Sequence, residues 1–366
     1  MSYSLGGPRD AAAGRIRNPL MELLQAVRAQ GSISGAARAL GLSYRHVWGE
    51  LKRWEQELGH ALIVWEKGQR AQLTAFGDKL LWAEQHAQAR LAPQIEALHA
   101  ELERAFAVAF DDGAQVLTLF ASHDEALARL RGLAAAQARL HLDIRFTGSV
   151  DAIAALNEGR CSVAGFHTRD HPPAGSLAQR TYQPLLQPGR HKLIGFARRT
   201  QGLIVARHNP RNIQSLPDVA TRGLRFVNRA LGTGTRLLLD ELIAEAGIAP
   251  AQLNGYTRDE PSHAAVANAI AAGTADAGLG IEAAARALGL DFVPLVNEDY
   301  HLVCLKDILD TPPVQSLREW LRSEAWQREI AALPGYAPLH SGEVLSLTEQ
   351  LPWWRLPPKV QRKKGR

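Results

Sequence analysis

Ser32-Ile-Ser-Gly-Ala-Ala-Arg-Ala-Leu-Gly-Leu-Ser43, continued by Tyr44-Arg-His-Val-Trp-Gly-Glu-Leu-Lys-Arg53, decides how the N-terminal part of this chain is read. Ser32 is placed to cap a helix over Ile33 to Leu40, Gly41 breaks it, and Ser43 caps a longer helix that reaches about Leu58 before Gly59. Ala36, Ala37 and Ala39 let the two helices approach, and Leu40, Leu42, Val47 and Leu51 are expected to fill the seam. This is the logic of a helix-turn-helix. The polar side of the second helix is then left to solvent or to a partner. Ser32, Ser43, Tyr44, Arg45, His46 and Lys52 are the candidate DNA contacts, because arginine pairs bidentately with guanine while hydroxyl and ammonium groups reach bases or phosphates. A three-helix domain with an ordinary solvated face is the plainer alternative.

Working outward, Leu20, Leu23, Leu24 and Val27 recur at helical spacing after Asn18-Pro19, and Gly31 stops that helix. Downstream, Ala61 to Trp65 and Ala71 to Thr74 read as short strands around Glu66-Lys67-Gly68-Gln69-Arg70. The hairpin tip offers Lys67, Gln69 and Arg70 to a minor groove or a phosphate. A long helical stretch follows, with Phe76, Leu80, Ala83, Ala87, Leu91, Ile95, Leu98, Leu102 and Phe106 spaced by threes and fours. Pro93 is expected to kink or split it. The apolar seam suits pairing with a second copy.

Beyond Asp111-Asp112-Gly113 the texture changes. Short apolar runs at Val116 to Ala121, Leu142 to Phe146, Val163 to Phe166, Gly202 to Ala206, Leu224 to Val227, Ala277 to Leu279 and Phe292 to Leu295 alternate with Ala/Leu-rich helices. That alternation argues for an α/β domain. The predicted organisation is a flexible arm over 1–18, a winged helix-turn-helix over 19–75, a linker and dimerisation helix over 76–110, a two-lobe α/β domain over 114–345 and a basic tail over 346–366.

Composition fits this plan. The 366 residues are 46% hydrophobic and 22% charged, with 42 basic against 37 acidic side chains, so the formal charge is +5. Five basic groups fall in the last eight residues, and 19–85 holds eight basic and seven acidic side chains. General attraction to phosphate is therefore weak, and specific DNA binding would need local clustering and two copies. Cys161 and Cys304 are too few for a disulfide framework. With no apolar stretch of membrane length and no apolar signal core, the expected location is the cytoplasm.

Three strand-to-helix turns in the α/β part end in hydroxyl residues: Ser122-His123-Asp124, Gly148-Ser149-Val150, and Gly232-Thr233-Gly234-Thr235-Arg236. Each helix start offers unpaired N–H groups and about half a positive charge, so several converging on one cleft would hold a small anion with neutral donors. Single serines and threonines there are ordinary caps; three together suggest more. The candidate ligand residues are Ser122, His123, Ser149, His167, Thr233, Gly234, Thr235 and Arg236. Asp124, Glu260 or Asp276 would supply an acceptor if the anion carries a proton. Trp48 and Trp54 are assigned to packing.

The segment from Leu23 to about Leu102 resembles the winged helix-turn-helix of molybdate-responsive ModE regulators and, more distantly, of LysR-type regulators. The likeness rests on Gly31-Ser-Ile-Ser, Ala36-Ala37, Gly41 to Trp48, Leu58-Gly59 and Leu73-Thr-Ala-Phe-Gly77. From Val116 to about His340 the chain resembles the periplasmic-binding-protein-like domain fused to such regions. Here the matching residues include Ser122-His-Asp124, Gly148-Ser149, Ala164-Gly165-Phe166-His167, Val227-Asn-Arg229, Gly232 to Arg236 and His263 to Val266. The resemblance implies a dimer or tetramer on double-stranded DNA. It also implies two lobes joined by two crossover strands and closing on a small ligand, with molybdate or tungstate as the expected effector.

Control of molybdenum-related genes, formate dehydrogenase among them, would follow; formate or another small organic anion is the alternative effector. A solute-binding protein without a transcriptional role is the reading from a different class. Catalysis is not expected. There is no Gly-x-Ser-x-Gly elbow, Cys161 has no partner signature, and His167 with His171 lacks the carboxylate spacing of a zinc enzyme. No covalent cofactor and no metal are expected.

Overall fold

The computed structural model describes residues 4–5, 16–64, 70–110, 113–170 and 172–354. The chain divides into two compact units, Met1–Glu96 and Ala97–Arg366.

In the first unit, β1 (Ser4–Leu5) pairs antiparallel with β2 (Ile16–Arg17), so the stretch read as an arm contains a short strand pair. Three helices follow: α1 (Pro19–Gln30), α2 (Ile33–Leu40) and α3 (Tyr44–Leu58). Their ends obey the caps written in the sequence. Asn18 accepts from the Leu20 amide at 3.1 Å, Ser32 from Gly35 at 3.0 Å and Ser43 from His46 at 3.1 Å. Gly31, Gly41 and Gly59 end the helices at φ 62°, 66° and 67°, where only glycine is unstrained. Leu20, Leu24, Val27, Ala36, Val47, Leu51 and Leu62 form one core.

Two seam assignments fail. Ala39 and Leu42 are exposed, and Gly35 is buried beside Ala36 and Ala37 instead. The buried side of α2 runs through residues 33, 36, 37 and 40, which leaves position 39 on the flank, while Leu42 sits in the turn outside both helices. The hairpin forms as β3 (Ile63–Val64) against β4 (Gln72–Leu73), shorter than expected. Then α4 (Ala75–Phe110) runs unbroken past Pro93. Proline's fixed φ is helical, so one lost hydrogen bond need not end a 36-residue helix and the expected split does not occur.

The second unit is built on one mixed sheet. In chain order its elements are β5 (Gln115–Ala121), α5 (Glu125–Ala138), β6 (Leu140–Phe146), α6 (Ser149–Asn157), β7 (Val163–Arg169), α7 (Leu177–Tyr182) and β8 (His191–Val205). They continue with α8 (Leu216–Thr221), β9 (Phe226–Arg229), α9 (Gly234–Glu245), β10 (Asp259–Glu260), α10 (His263–Ala271), β11 (Ala277–Ile281), α11 (Glu282–Ala287) and β12 (Asp291–Leu305). The last are α12 (Pro312–Arg322), α13 (Glu324–Ala331), β13 (Tyr336–Pro338), β14 (Val344–Leu345) and α14 (Leu347–Gln350). The strand order is β10-β9-β11-β8-β12-β7-β5-β6.

Two 15-residue strands, β8 and β12, make the two-lobe plan. They pair with each other almost throughout; the late part of β8 also pairs with β11, and the late part of β12 with β7. The first lobe thus holds β5, β6 and β7, the second β9, β10 and β11. Helices cover both faces. The C-terminal stretch is not all tail. Leu347, Leu351 and Trp353 are buried in the first lobe's core, so the domain extends at least to residue 354.

Candidate ligand cleft and DNA-facing surface

Parallel strands in each lobe end at the same edge, and the helices that follow start there. This places the Ser122 and Ser149 turns side by side in the first lobe, their hydroxyls 3.5 Å apart and both buried. Neither hydroxyl caps a helix: Asp124 accepts from the Ala126 amide at the start of α5, and α6 has no side-chain cap. Opposite them stands the start of α9. Gly148 and Gly232 meet across the cleft so closely that a Cβ on Gly148 would lie 2.6 Å from the Gly232 carbonyl oxygen.

Thr235 is buried, and its hydroxyl accepts from Nε2 of Gln201 at 2.9 Å and lies 3.5 Å from Nε2 of His263. His167 on β7 packs against the α9 start, where a Cβ on Gly234 would come within 3.3 Å of its Nδ1. Its ring lies on Tyr300, with centroids 3.8 Å apart. His123 is half-buried against Phe146. Ser122, Ser149, His167, Gly234 and Thr235 therefore share one buried region.

The structure gives other duties to two candidates. Thr233 is the α9 cap: its hydroxyl accepts from the Arg236 amide at 3.3 Å and donates to the Ala230 carbonyl at 2.7 Å. Arg236 turns to Asp240, at 3.3 Å, and lies over the Tyr256 ring at 4.0 Å. Asp276, offered as an acceptor, pairs with Arg225 at 2.8 Å at the far end of β11.

Several site residues were missed. Arg199 on β8 is buried between Asp124 and Glu298, bonded to both, while Tyr336 donates to Asp124 at 2.7 Å. Burial works against its charge, but Glu298 and Asp124 outweigh it and hold its pKa above the ordinary arginine value. Gln201 also donates to Glu298, at 2.9 Å. Both carboxylates are thus occupied by Arg199 and its neighbours.

Arg229, at the end of β9, is 1% exposed and forms no ion pair among the described residues. Nη1 reaches only the Glu260 carbonyl, at 3.4 Å, and Nε has no acceptor. Burial and then the Arg199 charge bring its pKa down to about 9, so it stays charged at neutral pH. Both ring nitrogens of His167, Nδ1 of His263, Oε1 of Gln201 and the Tyr300 hydroxyl are buried without partners. Burial first, then the two arginines, pushes His167 and His263 well below the usual histidine range, so both rings are neutral. The arrangement sets several buried donors around a guanidinium that lacks a direct ion-pair bond, which suits an anion.

On the first unit, Tyr44, Arg45 and His46 project from the start of α3 and are exposed, and neither Arg45 nor His46 forms an ion pair among the described residues. Tyr44 stacks parallel to Trp48, 6.5 Å between centroids. Lys52 lies over the Trp48 ring, 4.9 Å from its centroid, and pairs with Glu55 at 2.7 Å, which limits its freedom to reach phosphate. Trp48 and Trp54 pack against the core, as assigned from sequence. Arg70 is exposed with its stem beside Gly31; Lys67, Gln69 and the histidine at 171 lie outside the described residues. No described group of three His, Cys, Asp or Glu side chains suits a metal. No described helix is long and apolar enough to cross a membrane. Cys161 and Cys304 are free and buried, with burial pushing their thiols up to about 11 and about 12.

Comparison with known proteins agrees with this anatomy. Residues 19–78 match the model of bacterial regulatory helix-turn-helix proteins of the LysR family, and residues 130–322 match the PBP superfamily domain. The class is a protein with a regulatory-type helix-turn-helix followed by a PBP-type α/β domain. By the match over more than half its length, the chain belongs to the PBP superfamily, and it carries that domain behind a LysR-type helix-turn-helix. The model matched is the LysR one, the more distant of the two likenesses read from sequence; none matched is specific to ModE.

The uncharacterized protein YvgK of Bacillus subtilis (strain 168) is 32% identical over 201 residues, 55% of this chain and 64% of that protein. This chain thus spans less than two thirds of that relative. An uncharacterized protein from the 5′ region of a ferredoxin 2Fe-2S gene of Clostridium pasteurianum is 35% identical over 111 residues, 30% of this chain and 98% of its own length. Among solved structures, a full-length BenM mutant aligns over 85% of this chain and 95% of its own, with 15% identity and a TM-score of 0.42.

Proposed function

We propose that this protein is a cytoplasmic, effector-responsive transcriptional regulator that binds promoter DNA as a dimer or tetramer and senses a small oxyanion in its α/β cleft. The observation that carries the reading is the buried convergence of Ser122, Ser149 and Thr235 on a region whose nearest carboxylates, Asp124 and Glu298, are taken up by Arg199. A fully deprotonated oxyanion accepts and never donates, so it fits a region of hydroxyl, ring and guanidinium donors in which Asp124 and Glu298 are held by Arg199. Molybdate or tungstate is the first choice of effector, with control of molybdenum-related genes such as that of formate dehydrogenase as the consequence. Formate or another small carboxylate is the second choice, because the Arg229 fork also fits a planar anion.

The exposed stripe Leu91, Leu98, Leu102 and Phe106 on α4, between 44% and 62% exposed, supports self-association along that helix. Effector binding would then shift DNA affinity by favouring one lobe arrangement, passed on along α4. Calorimetric titration with molybdate, tungstate, sulfate, phosphate and formate tests the ligand. Saturable binding of one of these, lost in Ser122→Ala with Thr235→Val, is expected. Binding of none of them would overturn the anion reading.

A further inference from the structure

We propose that the cleft takes up its anion together with a proton, with Arg229 as the fixed charge and the His167–His263 pair as the group that accepts the proton. The inference rests on the anion-sensing reading and adds to it how charge is balanced. Three elements meet here: β7 brings His167, β9 brings Arg229 and the first turn of α10 brings His263. All three side chains are at least 96% buried, and each has at least one nitrogen without a partner. A buried nitrogen left without a partner is costly, so an occupant that completes all three sets of bonds is favoured over any that completes one.

Charge balance makes the proton necessary. Arg199 and Arg229 face Asp124, Glu298 and Glu260, so the fixed charges give no surplus of positive charge to receive a dianion. His167 is faced by Tyr300 and His301 on β12, by Arg199 on β8 and by Arg229 on β9. His263 is faced by Arg229, Arg199, His167 and His123, with Glu260 on the neighbouring β10 and the neutral Thr235 on α9. Burial and then the two arginines keep both rings neutral. An anion seated between the rings and Arg229 offsets that repulsion and draws a proton onto a ring, which then donates a charge-assisted hydrogen bond.

The test is calorimetry on the full chain with molybdate, and with sulfate as an anion that does not itself titrate, at several pH values from 6.5 to 8. Each titration is repeated in two buffers of different ionisation enthalpy. About one proton should be taken up per anion, with affinity rising about tenfold for each pH unit lowered. In Arg229→Met the affinity should fall about 10- to 100-fold. In His167→Gln uptake should fall while some binding remains. Tight binding without proton uptake and without pH dependence would overturn the proposal and leave the anion-sensing reading standing. Binding of neither probe would overturn the proposal, and the anion-sensing reading falls with it if tungstate, phosphate and formate also fail to bind. Because the uptake is measured on the unaltered protein, the decision does not depend on the variants folding.

Discussion

The hydroxyl of Thr235 and the carboxylate of Glu298 share one donor, the Gln201 amide nitrogen, which lies 2.9 Å from each. Thr235 belongs to the helix start of the second lobe, whereas Glu298 holds Arg199, which in turn holds Asp124 at the start of α5 in the first. Because the Thr235 hydroxyl accepts from Gln201, its own proton is left for an anion, and a bond made there extends the chain that ties the two lobes together. Gln201→Leu should leave the domain folded, yet lower anion affinity about tenfold through loss of one or two buried hydrogen bonds. Calorimetry checks it, and unchanged affinity would show that this chain is structural only.

The Gly148 and Gly232 turns approach each other closely. Gly148 has an ordinary negative φ of −66°, so alanine is free of backbone strain there and any effect is steric. Its Cβ would meet the Gly232 carbonyl, and relieving that clash costs about 1 to 3 kcal/mol in the closed arrangement. Gly148→Ala should weaken anion binding by tenfold or more while changing the melting temperature little. A large fall in melting temperature with unchanged affinity would contradict the cleft assignment.

His301 is buried on β12, where desolvation outweighs the pull of Asp299 and lowers its pKa from 6.5 to about 4. The unfolded chain binds that proton near pH 6.5 and the folded chain only near pH 4. Stability therefore falls as pH drops through 6.5 and loses roughly 3 kcal/mol by pH 4 from this group. His167 and His263 shift in the same direction. Denaturant midpoints between pH 7 and 4 should fall steadily, and His301→Gln should flatten the slope. A pH-independent midpoint would sink this account.

Arg45 stands exposed at the start of α3, where recognition helices meet base edges. Arg45→Ala should cost about 1 to 3 kcal/mol for the specific site and relax sequence preference at one position. Equal weakening on unrelated duplexes would mark it as a phosphate contact. Lys52→Ala should matter less, because Glu55 and Trp48 already hold that side chain.

The helix-turn-helix was legible because its boundaries are local. Ser32, Ser43, Gly31, Gly41 and Gly59 each act on the one turn of chain beside them. Seven strands of the second unit were also legible, as apolar runs. Missed were the short β10, β13 and β14 and about half of each crossover strand, where the site itself interrupts the pattern. Where β8 and β12 pass the cleft they carry Arg198, Arg199, Thr200 and Gln201, and Asn297, Glu298 and Asp299, which interrupt the apolar pattern. Arg199 and Arg229 escaped notice for the same reason. A charged residue in a strand reads as solvated unless its surroundings are known, here Asp124 and Glu298 for Arg199 and a buried strand end for Arg229. The hydroxyl turns were found because a helix start is visible from sequence, but only packing shows that Thr233 is a cap and Thr235 is not.

The account stands most directly on whether a small anion in the cleft alters DNA binding. Fluorescence anisotropy of the protein's own upstream promoter duplex, at one fixed salt concentration, measures affinity with and without saturating molybdate or tungstate. It should change at least fivefold for the wild type and not at all for Ser122→Ala with Thr235→Val, which should still bind the duplex. The same change in both proteins, or saturation of the cleft with no change in either, would contradict it.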